Sequence, residues 1–106
     1  MRRALILALL LAGTAHAEFK DGNRLYSDLT GDIYDKMHGM GYIVGVYDMG
    51  RNVIHCGPAN VTAGQINDMI KNYLENVPLD RSLTGDTVVN KVLRAVWPCA
   101  KRGNSM

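Results

Sequence analysis

The chain has 106 residues, of which 47% are hydrophobic and 21% are charged, and its formal net charge is +2 at pH 7. That length supports one small domain. Both excess positive charges belong to Arg2 and Arg3, so the remainder is neutral and has no basic patch of the kind that binds nucleic acid.

The N-terminal segment has the pattern of a cleavable secretory signal. Two arginines precede an apolar run over 4–12, and a small-x-small pattern ends at Ala17. This run is too short to cross a bilayer, which takes about 20 apolar residues. We therefore predict a signal peptide over 1–17, cleaved before Glu18, and a mature domain over 18–106 that is not inserted in a membrane.

The mature part contains two cysteines, Cys56 and Cys99, and no CxxC motif. Export places cysteines where disulfides form and persist, and an even count without a redox motif favours a structural bridge. We predict that these two cysteines form a disulfide. Two cysteines without a convincing histidine pair make a poor zinc site, so we predict no metal and no cofactor.

The first half of the mature chain gives weak signals. Leu25 and Leu29 suggest a short helix. Over 32–49, one helical face would comprise Ile33, Met37, Met40, Gly41, Val44 and Asp48. The stretch 42–47 instead has the β-branched and aromatic composition of a strand, and each glycine costs a helix about 1 kcal/mol relative to alanine. A helix would be justified if Gly41 and Gly45 admitted a neighbouring helix, so composition leaves both structures open.

The clearest predicted element is an amphipathic helix over 62–77. Thr62 and Gln65 have the spacing of a capping box, and Pro78 ends the helix because the residue before proline avoids the α region. The apolar stripe at helical spacing consists of Ile66, Met69, Ile70, Tyr73, Leu74 and Val77.

A second amphipathic helix is predicted over 85–97. Thr84 can cap its start and Pro98 follows its end. Its apolar stripe consists of Val88, Val89, Val92, Leu93, Val96 and Trp97. The connection over 50–58 begins at Gly50, a candidate helix C-cap.

No set of residues predicts an active site. His38 lies within about a turn of Asp32 and Asp35 if this region is helical, and that arrangement is typical of a solvated helix face. His55 adjoins Cys56, but a cysteine in a disulfide is no nucleophile. Calcium-loop spacing and a phosphate-binding glycine loop are both absent from the sequence. These observations favour a binding module over an enzyme.

Five short motifs occur in order along the mature chain: Gly22-Asn23-x-Leu25-Tyr26, Gly41-Tyr42-Ile43-x-Gly45-Val46-x-Asp48, Cys56-x-Pro58-x-x-Val61-Thr62-x-x-Gln65, Tyr73-Leu74-x-x-x-Pro78 and Trp97-Pro98-Cys99. Together they resemble the Rap/Tai family of immunity proteins, which protect bacteria against type VI secretion amidase effectors. The resemblance implies an all-α fold, a small single-domain periplasmic helical bundle with one disulfide, which often forms a homodimer. It also implies that 41–48 is helical, with its glycines at a packing seam.

The resemblance further implies that the chain binds a secreted cell-wall amidase and blocks its active-site cleft. For the contact we predict the loop over 80–86, through Asp80, Arg81, Ser82, Thr84 and Asp86. The alternative is a non-inhibitory structural or chaperone-like envelope protein with the same fold. Members of the family commonly carry a second cysteine pair, and the corresponding places fall near Leu29 and Gly39, where this sequence has no cysteine.

Overall fold

The computed structural model describes residues 19–100, so the predicted signal peptide and its cleavage site lie outside the described residues. Within 19–100 the chain forms four α-helices and one 3-10 helix, and it forms no strand. They are α1 (Gly22–Thr30), α2 (Ile33–Gly50), α3 (Ala63–Asn76), the 3-10 helix η1 (Pro78–Ser82) and α4 (Gly85–Val96). The all-α prediction is confirmed, including the helical assignment of 41–48. No helix in this part of the chain is both long enough and apolar enough for a membrane span.

All four α-helices contribute to one hydrophobic core. Its buried residues are Leu25, Leu29, Ile43, Tyr47, Ile66, Ile70, Leu74, Val88, Val89, Val92 and Leu93. The stripes predicted for the first, third and fourth helices therefore face this core, with Met69, Tyr73 and Trp97 packed at its edge. Val77 and Val96 are the exceptions, since Val77 is half-buried outside the core cluster and Val96 is 49% exposed.

The capping box predicted for α3 is present. The Gln65 backbone N–H donates to the Thr62 hydroxyl at 3.1 Å, and the Gln65 side-chain oxygen accepts from the Thr62 backbone N–H at 2.9 Å. Two donors that the helix leaves without partners are thereby satisfied. The helix ends at Asn76, and Pro78 begins η1 directly afterwards.

The start of α4 is held differently from the prediction. Thr84 is at the N-cap position, but its side chain makes no capping hydrogen bond and pairs with the Thr87 hydroxyl at 2.6 Å. The Gly85 backbone N–H donates instead to the Lys20 carbonyl at 2.8 Å, and Asp21 forms an isolated bridge with Thr84. The segment that precedes α1 therefore supplies an acceptor for one of the backbone N–H groups that have no partner within α4.

The face of α2 that packs inward differs from the predicted one. The buried residues of this helix are Gly39, Ile43, Tyr47 and Gly50. Ile33 and Met37, both on the predicted face, are each 63% exposed, and Asp48 is also exposed. Apolar residues surround α2, so their spacing does not select the side that packs inward.

The close contacts of α2 are made at Gly39 and Gly50. A Cβ atom on Gly39 would lie 3.0 Å from Cδ2 of Leu29 on α1, and one on Gly50 would lie 3.2 Å from Oδ1 of Asn90 on α4. An aliphatic side chain of α1 thus packs directly on a glycine of α2.

Gly41 and Gly45 do not form the predicted packing seam within the chain. Nothing among the described residues lies within 4 Å of a Cβ atom placed on either glycine. Both residues are exposed. The side of α2 on which they lie is therefore open.

The predicted disulfide is present. Cys56 and Cys99 are bonded, with their Cα atoms 4.9 Å apart and a sequence separation of 43. The Cys56 backbone N–H also donates to the Trp97 carbonyl at 2.8 Å. The bridge thus joins the segment that follows α2 to the end of α4.

Replacing both Cys56 and Cys99 with serine should lower the free energy of unfolding by about 4 kcal/mol, because the open chain gains the entropy of a long loop. Urea unfolding followed by circular dichroism measures the change. Wild-type protein treated with a reductant serves as the control and should show the same loss. A loss of less than about 1 kcal/mol in both would contradict this role for the bridge.

Candidate binding surface

Neither histidine of the mature part belongs to a catalytic arrangement. His55 is fully buried: Nε2 donates to the Tyr47 carbonyl at 2.9 Å, and Nδ1 accepts from the Gly57 backbone N–H at 3.1 Å. Both ring nitrogens are thus used to hold the turn after α2. His38 is exposed, and its Nδ1 lies 2.8 Å from Nζ of Lys20. Within 19–100 no three His, Cys, Asp or Glu side chains are grouped so that they could hold a metal ion.

The strongest charge cluster lies between the first two helices and was not predicted. The buried carboxylate of Asp28 accepts a hydrogen bond from Lys20, and Nε of Arg24 and Nδ1 of His38 lie 3.5 Å and 3.6 Å from its oxygens. Burial by itself raises the pKa of Asp28, but the hydrogen bond and charge of Lys20, assisted by His38 and Arg24, hold that pKa below its ordinary value. The cluster joins the segment before α1 to both helices.

Replacing Asp28 with asparagine should lower the free energy of unfolding at neutral pH by about 3 kcal/mol, because the nearly buried Lys20 loses its partner. The folded pKa of Asp28 lies below its unfolded value of about 3.9, so this stabilisation is complete above that pH and disappears as the pH falls through the folded pKa. Unfolding measured from neutral to acid pH should show the variant and the wild type converging.

The exposed Asp68 on α3 provides the matched control, since Asp68→Asn should change little at any pH. A difference between Asp28→Asn and the wild type that stays constant down to strongly acid pH would contradict the linkage.

The loop predicted to contact the partner divides into two parts. Asp80 and Arg81 act within the fold: the Asp80 carboxylate accepts from Tyr73 and from Lys91, the latter at 2.7 Å, while Nε of Arg81 donates to the Leu74 carbonyl at 2.7 Å. The hydrogen bonds from Lys91 and Tyr73 lower the pKa of Asp80. These contacts fix η1 against α3 and α4.

The other predicted contact residues face outward. Ser82, Thr84 and Asp86 are exposed, and the neighbouring Leu79 is 87% exposed. A rigid support beneath an exposed edge suits a binding surface, because less conformational entropy is lost when the partner docks. Asp80 and Arg81 supply that support, and the other three predicted residues supply the edge.

Asp86 also borders a groove of about 600 Å³ that lies along α2. The floor and apolar sides of this groove, here called the α2 groove, are formed by Gly41, Tyr42, Gly45, Val46, Met49, Gly50 and Ile54. Asp86 and Asn90 of α4 form its polar wall. Burial raises the pKa of Tyr42, and the negative charge of Asp86 raises it further, while the Asp86 backbone amide opposes the rise. The predicted loop and the groove therefore meet at Asp86.

The fold is that of a small, disulfide-linked helical protein with an open groove along α2. The sequence model of the Rap1a immunity proteins matches residues 21–99, and the chain belongs to that family. The resemblance drawn from the five motifs is confirmed. No curated protein matches the chain. The chain is thus an immunity protein, whose partner is a secreted effector, and nothing in the described residues shows catalytic activity.

Proposed function

We propose that this chain is a periplasmic immunity protein that binds a type VI secreted peptidoglycan amidase and blocks its active-site cleft. The observation that carries the proposal is the match of residues 21–99 to an immunity family, together with motifs that resemble the members directed against amidases. The 80–86 loop is the contact that we assign to the enzyme.

Export to the periplasm has separate support. The segment over 1–17 has the charge, length and cleavage pattern of a signal peptide. The Cys56–Cys99 bridge also supports an oxidising compartment, because cytoplasmic thiols are kept reduced. An inhibitor in the periplasm would meet an incoming amidase where that enzyme reaches the cell wall.

Inhibition fits the surface better than a structural role in the envelope does. A protein that only supports the envelope has no need of an outward edge at Ser82 and Thr84 held by the internal contacts of Asp80 and Arg81. The resemblance also implies a homodimer. Sedimentation of the purified chain measures whether it is a monomer or a dimer in solution.

The proposal predicts that the chain, purified from cells that express the full sequence, forms a stable complex with the secreted amidase encoded beside its gene and abolishes peptidoglycan cleavage. Release of peptidoglycan fragments measures activity, and calorimetry measures affinity. An unrelated secreted amidase is the control and should remain active. Full cleavage at saturating chain would rule out inhibition.

The same preparation tests export, because N-terminal sequencing of the periplasmic form should begin at Glu18. Recovery of the chain from the cytoplasm with Met1 retained would contradict the assigned compartment and leave the inhibition test unaffected.

A further inference from the structure

The α2 groove is part of an apolar surface that the fold leaves uncovered. Gly41 and Gly45 have open space above them, and Met49, one turn further along, is 84% exposed. Towards the start of the helix, Tyr34 and Met37 are 80% and 63% exposed. Residues three or four apart lie on one helical face. The groove therefore adjoins an exposed stripe that runs along α2.

Its shape favours a helix as the occupant. Two helices normally pack with their axes 8–10 Å apart, and side chains at the contact set that distance. Gly41 and Gly45 are one turn apart and place no side chain in the contact, so a second helix can approach closely there. Tyr42, Val46 and Met49 also line the groove and supply apolar surface against which its side chains pack.

The polar wall of the groove determines the charge of the occupant. Asp86 offers an exposed carboxylate, and Asn90 follows four residues later on the same face of α4. Oδ1 of Asn90 is buried beside Gly50 and has no hydrogen-bond partner among the described residues, and a turn about the soft terminal torsion of asparagine brings an acceptor towards the groove. No lysine or arginine lines the groove. The wall offers acceptors, so a basic side chain complements it.

We propose that the α2 groove receives a helix of the secreted effector, with an aliphatic or aromatic side chain against Gly41 and Gly45 and a lysine or arginine at Asp86. This rests on the proposed function, since the partner is the effector. A second copy of the chain is a poorer occupant. A two-fold dimer uses the same patch on both copies, and the lining of the α2 groove contains no lysine or arginine to pair with Asp86 of the other copy.

Filling the groove tests the proposal. Gly45→Leu should lower the affinity for the adjacent amidase by about 100-fold, the size of a lost interface hot spot, and Gly45→Ala should have a smaller effect. Neither variant should reduce thermal stability, because the added atoms enter open space and replace a poor helix former. Asp86→Asn should lower affinity about tenfold and weaken its dependence on salt. Calorimetry and thermal unfolding provide the measurements.

The matched control is Gly64→Leu, because Gly64 is an exposed glycine of α3 with no atom closer than 4.0 Å to an added Cβ. This variant should bind like the wild type. If the wild type inhibits the amidase and Gly45→Leu binds it equally well, the groove proposal is wrong and the proposed function stands. If the wild type itself binds no amidase, the proposed function fails. Loss of self-association in Gly45→Leu with amidase affinity unchanged would identify a second copy as the occupant and overturn the proposal.

Discussion

The arrangement of the molecule depends on which side of α2 is buried. Gly39 and Gly50 set that side, because their backbones lie so close to Leu29 and Asn90 that a Cβ atom would be crowded at either position. The contact at Gly39 holds α1, and the contact at Gly50 holds α4. Ile43 and Tyr47 then point into the core. The other two glycines of the helix necessarily lie on the open side, so one constraint explains both the core and the groove.

Two sets of bonds hold this arrangement at its ends. At one end, Asp28 draws Lys20 into a nearly buried ion pair, and the Lys20 carbonyl accepts the first free N–H of α4. At the other end, the Cys56–Cys99 bridge joins the segment after α2 to the end of α4. Since a domain of this size buries little apolar surface, these connections contribute a large share of its stability. None of these connections involves the exposed side of α2.

The sequence predicts the elements whose signals are local. The capping box at Thr62, the stripe of α3 and the end of that helix before Pro78 follow from neighbours a few residues apart. The orientation of α2 does not, because its apolar residues surround it and only distant partners choose between the sides. The same holds at the site. Asp80 and Arg81 have the composition of a solvated loop, but Tyr73 and the Leu74 carbonyl, which engage them, lie on another helix.

The predicted partner surface was therefore partly recognisable. Asp86 stands out as an acidic residue beside a glycine, whereas its place on the same groove as Gly45 emerges only when α2 and α4 are packed together. A glycine pair in a helix indicates a close contact, but the sequence does not say whether the contact lies inside the chain or with a partner. In this chain the inner contacts use Gly39 and Gly50, which leaves Gly41 and Gly45 for a partner.

Hydrogen–deuterium exchange of the chain alone and in complex with the amidase tests this account most directly. The account predicts added protection over 41–50 and 82–86, while backbone amides over 66–74 exchange as they do in the free chain. Protection confined to α1 and α3, with 41–50 unchanged, would contradict it.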